Sequence, residues 1–230
     1  MTRYFVLLTF LVVCANVLAQ RNDVFSDTMN GNKEKRTYIK NKGETTSFYV
    51  LPRTDSNYDK SLEFFSPQKR RANDRHLDEE LTDFKKRVPN IKKQQLGDMP
   101  RTWYYLIKHG DAYYVSNSDP IVLEFTDTLI MSYDIENLPW PLYEFKQLDG
   151  GGWSYKTIDY YGKERRETII PCSKLKGAYL MTNIVEGELP KYSLWTNDKE
   201  VRNFDIIEWD DKENEPYGLP YEEIDFDSLR

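Results

Sequence analysis

The chain has 230 residues, a formal net charge of −6, 14% aromatic residues and only two cysteines. Cys14 lies within an N-terminal apolar run, so removal of that run leaves Cys172 alone and excludes an intramolecular disulfide. The acidic part after residue 100 opposes binding of nucleic acid, because contacts with phosphates need clustered Lys and Arg. The fold must therefore be stabilised by burial of its Tyr, Phe and Trp side chains.

Residues 1–19 have the features of a cleavable secretory signal peptide. Arg3 supplies a positive charge, residues 5–13 form an apolar core, and the small side chain of Ala19 predicts cleavage before Gln20. An uncleaved membrane anchor is an alternative, but the apolar run is shorter than the roughly 20 residues that span a bilayer. We therefore expect an extracytoplasmic protein, periplasmic or secreted, whose mature chain has no transmembrane span.

Two further features concern the cellular location and the source of the protein. A lipoprotein acylated at Cys14 is a second alternative, which Val13 disfavours because a lipobox has Gly, Ala or Ser before the cysteine. Small secreted animal domains usually carry several disulfides, whereas the mature chain predicted here cannot form an intramolecular one. The composition therefore favours a bacterial source.

Residues 20–72 are rich in polar side chains and predict an irregular, flexible extension. Two short segments could dock on the main domain, a strand candidate at Ser47–Leu51 and residues 62–65. A different hypothesis treats the chain as a precursor cut at the basic residues 35–36 or 69–71. The strand-rich C-terminal half disfavours it, because a peptide precursor rarely needs a folded core.

Residues 73–99 predict one amphipathic helix and a linker. The apolar side chains recur at helical spacing on one face, at Leu77, Leu81, Phe84 and Val88. Asn73 or Asp74 can cap the N-terminus, and Pro89 ends the run. Such a helix packs on the following domain, or it serves as a partner-binding helix or a hinged plug.

Residues 100–209 predict a β domain, and residues 210–230 an acidic tail. About nine short strands recur with turn residues between them, a pattern typical of an antiparallel meander that forms a barrel or a sandwich. The tail is either solvated or lies along a groove. The expected fold class is thus mainly β, with one N-terminal helix and a largely irregular N-terminal extension.

No motif identifies a catalytic residue, a cofactor or a metal site. The chain has only two histidines, His76 and His109, and lacks phosphate-binding, nucleophile-elbow and zinc signatures. Pairs of carboxylates can hydrolyse glycosides. The acidic candidates for such a pair are Asp159, Glu164, Glu167, Glu208 and Asp210. The catalytic residues stay unknown, and no metal or cofactor is expected.

Aromatic side chains are the best candidates for contact with a ligand. Trp140 lies between two prolines, which force an exposed or edge conformation. Tyr143 and Trp153 are further candidates, although tryptophans more often belong to a core. The sequence predicts a non-enzymatic binding or interaction module for a protein, a glycan or a small apolar ligand. The alternative is a carboxylate-based glycan hydrolase.

Overall fold

The computed structural model describes residues 23–28, 35–40, 47–74, 76–88, 90–116, 121–133, 137–158, 162–209 and 222–230. The predicted signal peptide, Cys14 and residues 210–221 of the acidic tail lie outside the described residues. The described residues are mainly β and fall into two compact units. One unit contains those up to Leu51 together with Glu208 and Trp209, and the other contains those from Pro52 to Ile207 and from Glu222 to Arg230.

The first unit contains three antiparallel strands: β1 (Asp23–Thr28), β2 (Lys35–Lys40) and β3 (Ser47–Leu51). β1 pairs with β2, and β2 pairs with β3. The sequence predicts β3, where Phe48 and Leu51 are buried. The prediction of a largely irregular extension is wrong for β1 and β2, because backbone hydrogen bonds across a ladder can order a polar segment that has little apolar surface to bury.

Three helices begin the second unit: α1 (Tyr58–Phe65), α2 (Pro67–Asn73) and α3 (Leu77–Arg87). Helix α3 lies where the sequence predicts a helix. Helices α1 and α2 were not predicted, although the sequence marks residues 62–65 of α1 as a segment that could dock on the main domain. Contacts with distant residues stabilise α1. It buries Tyr58 and Phe65, and the Tyr58 hydroxyl lies 2.9 Å from the backbone carbonyl oxygen of Val201.

Side chains cap the N-terminal ends of α2 and α3. Pro67 opens α2, and the Ser66 hydroxyl accepts from the amide of Lys69. The Asp74 carboxylate accepts from the amides of His76 and Leu77, at 2.9 and 3.1 Å, as the sequence predicts for α3. In the part of the chain that is described, no helix is both long enough and apolar enough to cross a membrane.

Eleven strands follow, all in the second unit except for the last two residues of β14. Their bounds are β4 (Thr102–His109), β5 (Ala112–Ser116), β6 (Val122–Phe125), β7 (Leu129–Tyr133), β8 (Asn137–Pro141), β9 (Tyr143–Leu148), β10 (Gly152–Ile158), β11 (Glu164–Pro171), β12 (Tyr179–Val185), β13 (Lys191–Asn197) and β14 (Asp205–Trp209). The ladder runs in the order β9-β10-β11-β12-β13-β4. β4 then pairs with both β5 and β6, and β6 continues through β7 to β8.

The result is a large mixed sheet that is not closed into a barrel. The prediction of an antiparallel meander is wrong at one place, because β14 pairs with β5 in parallel. β8 packs against β10 with no ladder between them among the described pairings. Pro139 and Pro141 give the reason: the missing N–H groups lie two residues apart, hence on the same edge of β8, and that edge cannot donate to another strand.

The inner face of this sheet holds an aromatic core. It includes Trp103, Trp153 and Tyr155, and Trp103 packs edge-on against Trp153 with ring centroids 5.9 Å apart. Leu106, Leu180 and Leu194 alternate with the inward positions and are also buried. Both faces of the central strands are therefore covered, and the inner face is filled at the level of the core.

Candidate functional site

A cavity of about 580 Å³ opens on the inner face of the sheet, beside the aromatic core. Its walls come from β4, β6, β7 and β8 on one side and from β11, β12 and β13 on the other. Three aromatic side chains line it on the inner face, Tyr105, Trp140 and Trp195; Tyr192 also borders it, but its ring packs on Phe226 and Arg230. We call this cavity the aromatic cleft. Its volume lies within the roughly 300–1,000 Å³ of ordinary small-molecule sites.

Strand register places the aromatic side chains and the polar side chains at different levels of the cleft. Trp195 of β13 pairs with Tyr105 of β4, and their rings meet edge to face at 5.4 Å. Two levels further along the strands, four residues from Trp195, the successive cross-strand partners on β10 to β13 are Tyr155, Glu167, Asn183 and Lys191. Because partners in register share a face, they form one polar row across the inner face of the sheet.

Glu167 is the centre of this polar row. Its side chain is only 3% exposed, and the Asn183 amide nitrogen donates to its carboxylate at 3.1 Å. The Tyr155 hydroxyl donates to the same carboxylate. Burial raises the pKa of Glu167, and the hydrogen bond from Tyr155 and the nearby charge of Arg165 reduce that rise.

Asn183 has one acceptor that the fold does not use. Its Oδ1 atom is buried and has no hydrogen-bond partner among the described residues. The hydroxyls of Ser132 and Ser193 also line the cleft, and Ser193 accepts from the Trp195 indole nitrogen at 2.8 Å. The cleft therefore presents hydroxyl groups beside aromatic rings, and the Asn183 acceptor is buried in its wall.

Trp140 stands at the edge of the aromatic cleft, on β8. The Arg165 guanidinium carbon lies 5.3 Å from the centre of its ring, within the range of a cation–π contact. The two flanking prolines keep this strand at an edge of the sheet, as the sequence suggests. Of the three aromatic residues that the sequence proposes for ligand contact, Trp140 is the one that lines this cleft.

The other two predicted residues lie elsewhere. Trp153 belongs to the aromatic core and is 6% exposed. Tyr143 lines a separate cavity of about 570 Å³ beside Lys156, whose ammonium group lies 3.0 Å from Glu144 and 2.9 Å from Glu164. The structure therefore does not bring Trp140, Tyr143 and Trp153 to one site.

The candidate carboxylates are also dispersed. Glu164 is paired with Lys156, and the Glu208 carboxylate accepts from Tyr49 in the first unit. Asp159 and Asp210 lie outside the described residues. Glu167 is the one carboxylate among the described residues that line the aromatic cleft.

Sequence reasoning missed the polar row as a ligand site. Glu167 and Asn183 alternate with the apolar inward residues Ile169 and Met181, so a polar side chain at an inward position was the available signal. Among the described residues, no three His, Cys, Asp or Glu side chains converge as metal ligands would. No protein-family model, no curated protein and no solved structure matches this chain.

Proposed function

We propose that this protein is an exported binding protein that holds a neutral, hydroxyl-rich ligand, a glycan, in the aromatic cleft. The observation that carries the proposal is that three aromatic side chains, Tyr105, Trp140 and Trp195, line the same cavity as the Glu167–Asn183 pair. Sugar rings have apolar C–H faces that pack on aromatic rings, and hydroxyls that donate and accept hydrogen bonds. The aromatic cleft offers partners for both.

The polar row favours a glycan over a purely apolar ligand. The hydroxyls of Ser132 and Ser193 line the cleft, and an apolar occupant would leave such a group unpaired, at a cost of about 1–3 kcal/mol. A sugar hydroxyl can pair with it. The Glu167 carboxyl, whose pKa is raised by burial, can donate a hydrogen bond in its protonated form and accept one in its ionised form.

The shape of the site favours a small ligand over a folded protein partner. Protein interfaces are broad, whereas the aromatic cleft is a concave space between two groups of strands. Its lining is largely apolar with few polar groups, which is the usual composition of a small-molecule site.

Titration with neutral saccharides tests the proposal. We expect cello-, chito-, malto- or xylo-oligosaccharides to release heat in calorimetry and to change the tryptophan fluorescence. Trp140→Ala should weaken the binding at least tenfold, or about 1.4 kcal/mol, because it removes one wall of the cleft. Tyr143→Ala, which alters an aromatic side chain in a different cavity, should leave the affinity unchanged.

A specific result would overturn the proposal. If none of these saccharides binds while a fatty acid binds in a way that Trp140→Ala abolishes, the ligand is apolar. If Tyr143→Ala and Trp140→Ala weaken saccharide binding equally, the binding site is not the aromatic cleft.

Export is the second part of the proposal and rests on residues 1–19. Expression of the full chain in a bacterium should yield a periplasmic or secreted product whose mass corresponds to a chain that begins at Gln20. A cytoplasmic product that retains Met1 would contradict it. A mass increased by a lipid on Cys14 would indicate the lipoprotein instead.

Glycan hydrolysis is a second candidate function, favoured by one observation. A buried carboxyl with a raised pKa is typical of a general acid, and Glu167 has that character. Hydrolysis ordinarily uses a second carboxyl about 5–10 Å away, which the described lining of the cleft does not provide. New reducing ends after prolonged incubation, lost in Glu167→Gln, would support hydrolysis over binding alone.

A further inference from the structure

A second cavity adjoins the aromatic cleft beneath helix α3. Its volume is about 430 Å³, and it is lined by Phe84 of α3 and by the proline-rich strand β8. Leu138 and Trp140 line both this cavity and the aromatic cleft. We call the second cavity the α3 pocket. The two shared side chains make the α3 pocket and the aromatic cleft adjacent compartments on either side of one wall.

The open edge of β8 explains why the two compartments adjoin. A continuous ladder from β8 to β10 would close the sheet at this position. Pro139 and Pro141 have no N–H to donate, so no such ladder forms among the described pairings, and helix α3 covers the gap. Ile158, in the last position of β10, lines the α3 pocket and marks the far side of this gap.

The α3 pocket has the same mixture of surfaces as the aromatic cleft. Its apolar side is formed by Phe84, Pro139 and the shared Trp140, and its polar side by the carboxylates of Glu80 and Asp83 and by Arg87. Asp83 lies 2.9 Å from Lys86 and is otherwise exposed, so its second oxygen can accept from a ligand hydroxyl. Carboxylates are strong acceptors for such hydroxyl groups.

We propose that the α3 pocket is a second binding site for the same ligand, which is therefore a linear glycan of at least two units that passes across Trp140. This inference rests on the proposed function, because the first unit occupies the aromatic cleft. The second unit packs on the opposite side of Trp140 and donates its hydroxyls to Glu80 and Asp83. A single compact ligand would fill the aromatic cleft and leave the α3 pocket empty.

The inference predicts that affinity depends on the length of the ligand. In calorimetry with saccharides of one to six units from the series that binds, the affinity should rise at least tenfold once the chain reaches the α3 pocket. The double variant Glu80→Gln/Asp83→Asn should lose that gain and keep the affinity for the shortest binding saccharide. Both substitutions are nearly isosteric and lie at exposed positions, so the fold should tolerate them.

The matched control is Asp78→Asn/Glu79→Gln. It removes the same two charges from the same helix, at side chains that do not line the α3 pocket. This control should bind short and long saccharides as the unchanged protein does. A general electrostatic effect of helix α3 would affect both double variants equally.

The outcomes separate this inference from the proposed function. If no saccharide binds, the proposed function fails and the second site fails with it. If saccharides bind but affinity does not change with length, the aromatic cleft binds a compact ligand and the second site is overturned. If long saccharides bind more tightly but the two double variants are equivalent, the second unit lies outside the α3 pocket, which also overturns it.

Discussion

The ionisation of Glu167, which lines the aromatic cleft, also affects the stability of the fold. Burial disfavours its charged form, and neither the Tyr155 hydroxyl nor the Arg165 charge compensates fully, so its pKa is raised in the folded state. Below the ordinary pKa of a glutamate, the side chain is protonated in both the folded and the unfolded chain. As pH rises past that value, the unfolded chain releases its proton first, and the folded state loses relative stability until the pH passes the folded pKa.

We therefore expect Glu167→Gln to remove a pH dependence. The free energy of unfolding, measured with urea between pH 4 and 8, should fall less steeply with pH in this variant than in the unchanged protein. The variant should have its largest relative advantage above the folded pKa of Glu167, where the unchanged protein holds a buried charge. Glu186→Gln, at an exposed turn position, is the control. Its free energy of unfolding should depend on pH in the same way as that of the unchanged protein. Parallel curves for Glu167→Gln would show that Glu167 ionises in the fold as easily as in water.

Single residues differ in how far the sequence predicts their place. Trp140 was identifiable because adjacent prolines restrict a strand to an edge, which is a local rule. Trp153 has no such local mark, and its burial follows from contacts with Trp103 on a distant strand. Glu167 was one acidic residue among many, and only the register of β10, β11 and β12 shows that Tyr155 and Asn183 bond to it.

At the scale of elements, helix α2 is held by a charged cluster that the sequence did not predict. The Arg71 side chain forms an ion pair with Glu124 of β6. Its Nε donates to the Tyr133 hydroxyl at 2.7 Å, and this hydroxyl lies 2.9 Å from Glu124. The sequence marks the basic run at residues 69–71 only as a candidate cleavage site, but one of its members, Arg71, docks α2 on the sheet.

Tyr133→Phe tests this docking. The change removes one fully buried hydroxyl that bonds to both charged partners, and we expect the free energy of unfolding to fall by about 1–3 kcal/mol. We also expect faster cleavage by trypsin after Lys69 and Arg70, because α2 loses part of its attachment. Tyr192→Phe is the control, since the ring of Tyr192 makes its described contacts with Phe226 and Arg230. Unchanged stability and cleavage in Tyr133→Phe would mean that the ion pair alone holds α2.

The strands themselves were the most predictable elements. Short apolar and aromatic segments between turn residues mark the strands from β4 to β14 along the sequence, except for β8, since alternation and turn chemistry are local properties. The parallel pairing of β14 with β5 joins residues about 90 positions apart and leaves no local pattern. Helices α1 and α2 were missed for the same reason, because partners such as the Val201 carbonyl lie far along the chain.

At the scale of the molecule, the C-terminal residues are part of the second unit. Glu222 accepts from the amide of Gly110 at 2.9 Å, and Phe226 packs on Tyr192 of β13. The backbone carbonyl of Leu229 accepts from the amide of Ser173 at 3.2 Å. The sequence left open whether the tail is solvated or lies along a groove. In the described residues from Glu222 onward, it is docked on the sheet.

Leu229 shows how far the second unit depends on its last residues. Its side chain is 6% exposed, whereas Leu189, in the turn before β13, is 87% exposed. Leu229→Ala should therefore lower the free energy of unfolding by about 2–5 kcal/mol, through lost burial and the space left behind. Leu189→Ala makes the same chemical change in solvent and should alter stability by less than about 0.5 kcal/mol. Urea denaturation followed by tryptophan fluorescence measures both variants. If both substitutions lower the free energy of unfolding by the same small amount, the C-terminal residues contact the sheet without stabilising it. The residues before Glu222 would then be sufficient for the stability of the fold.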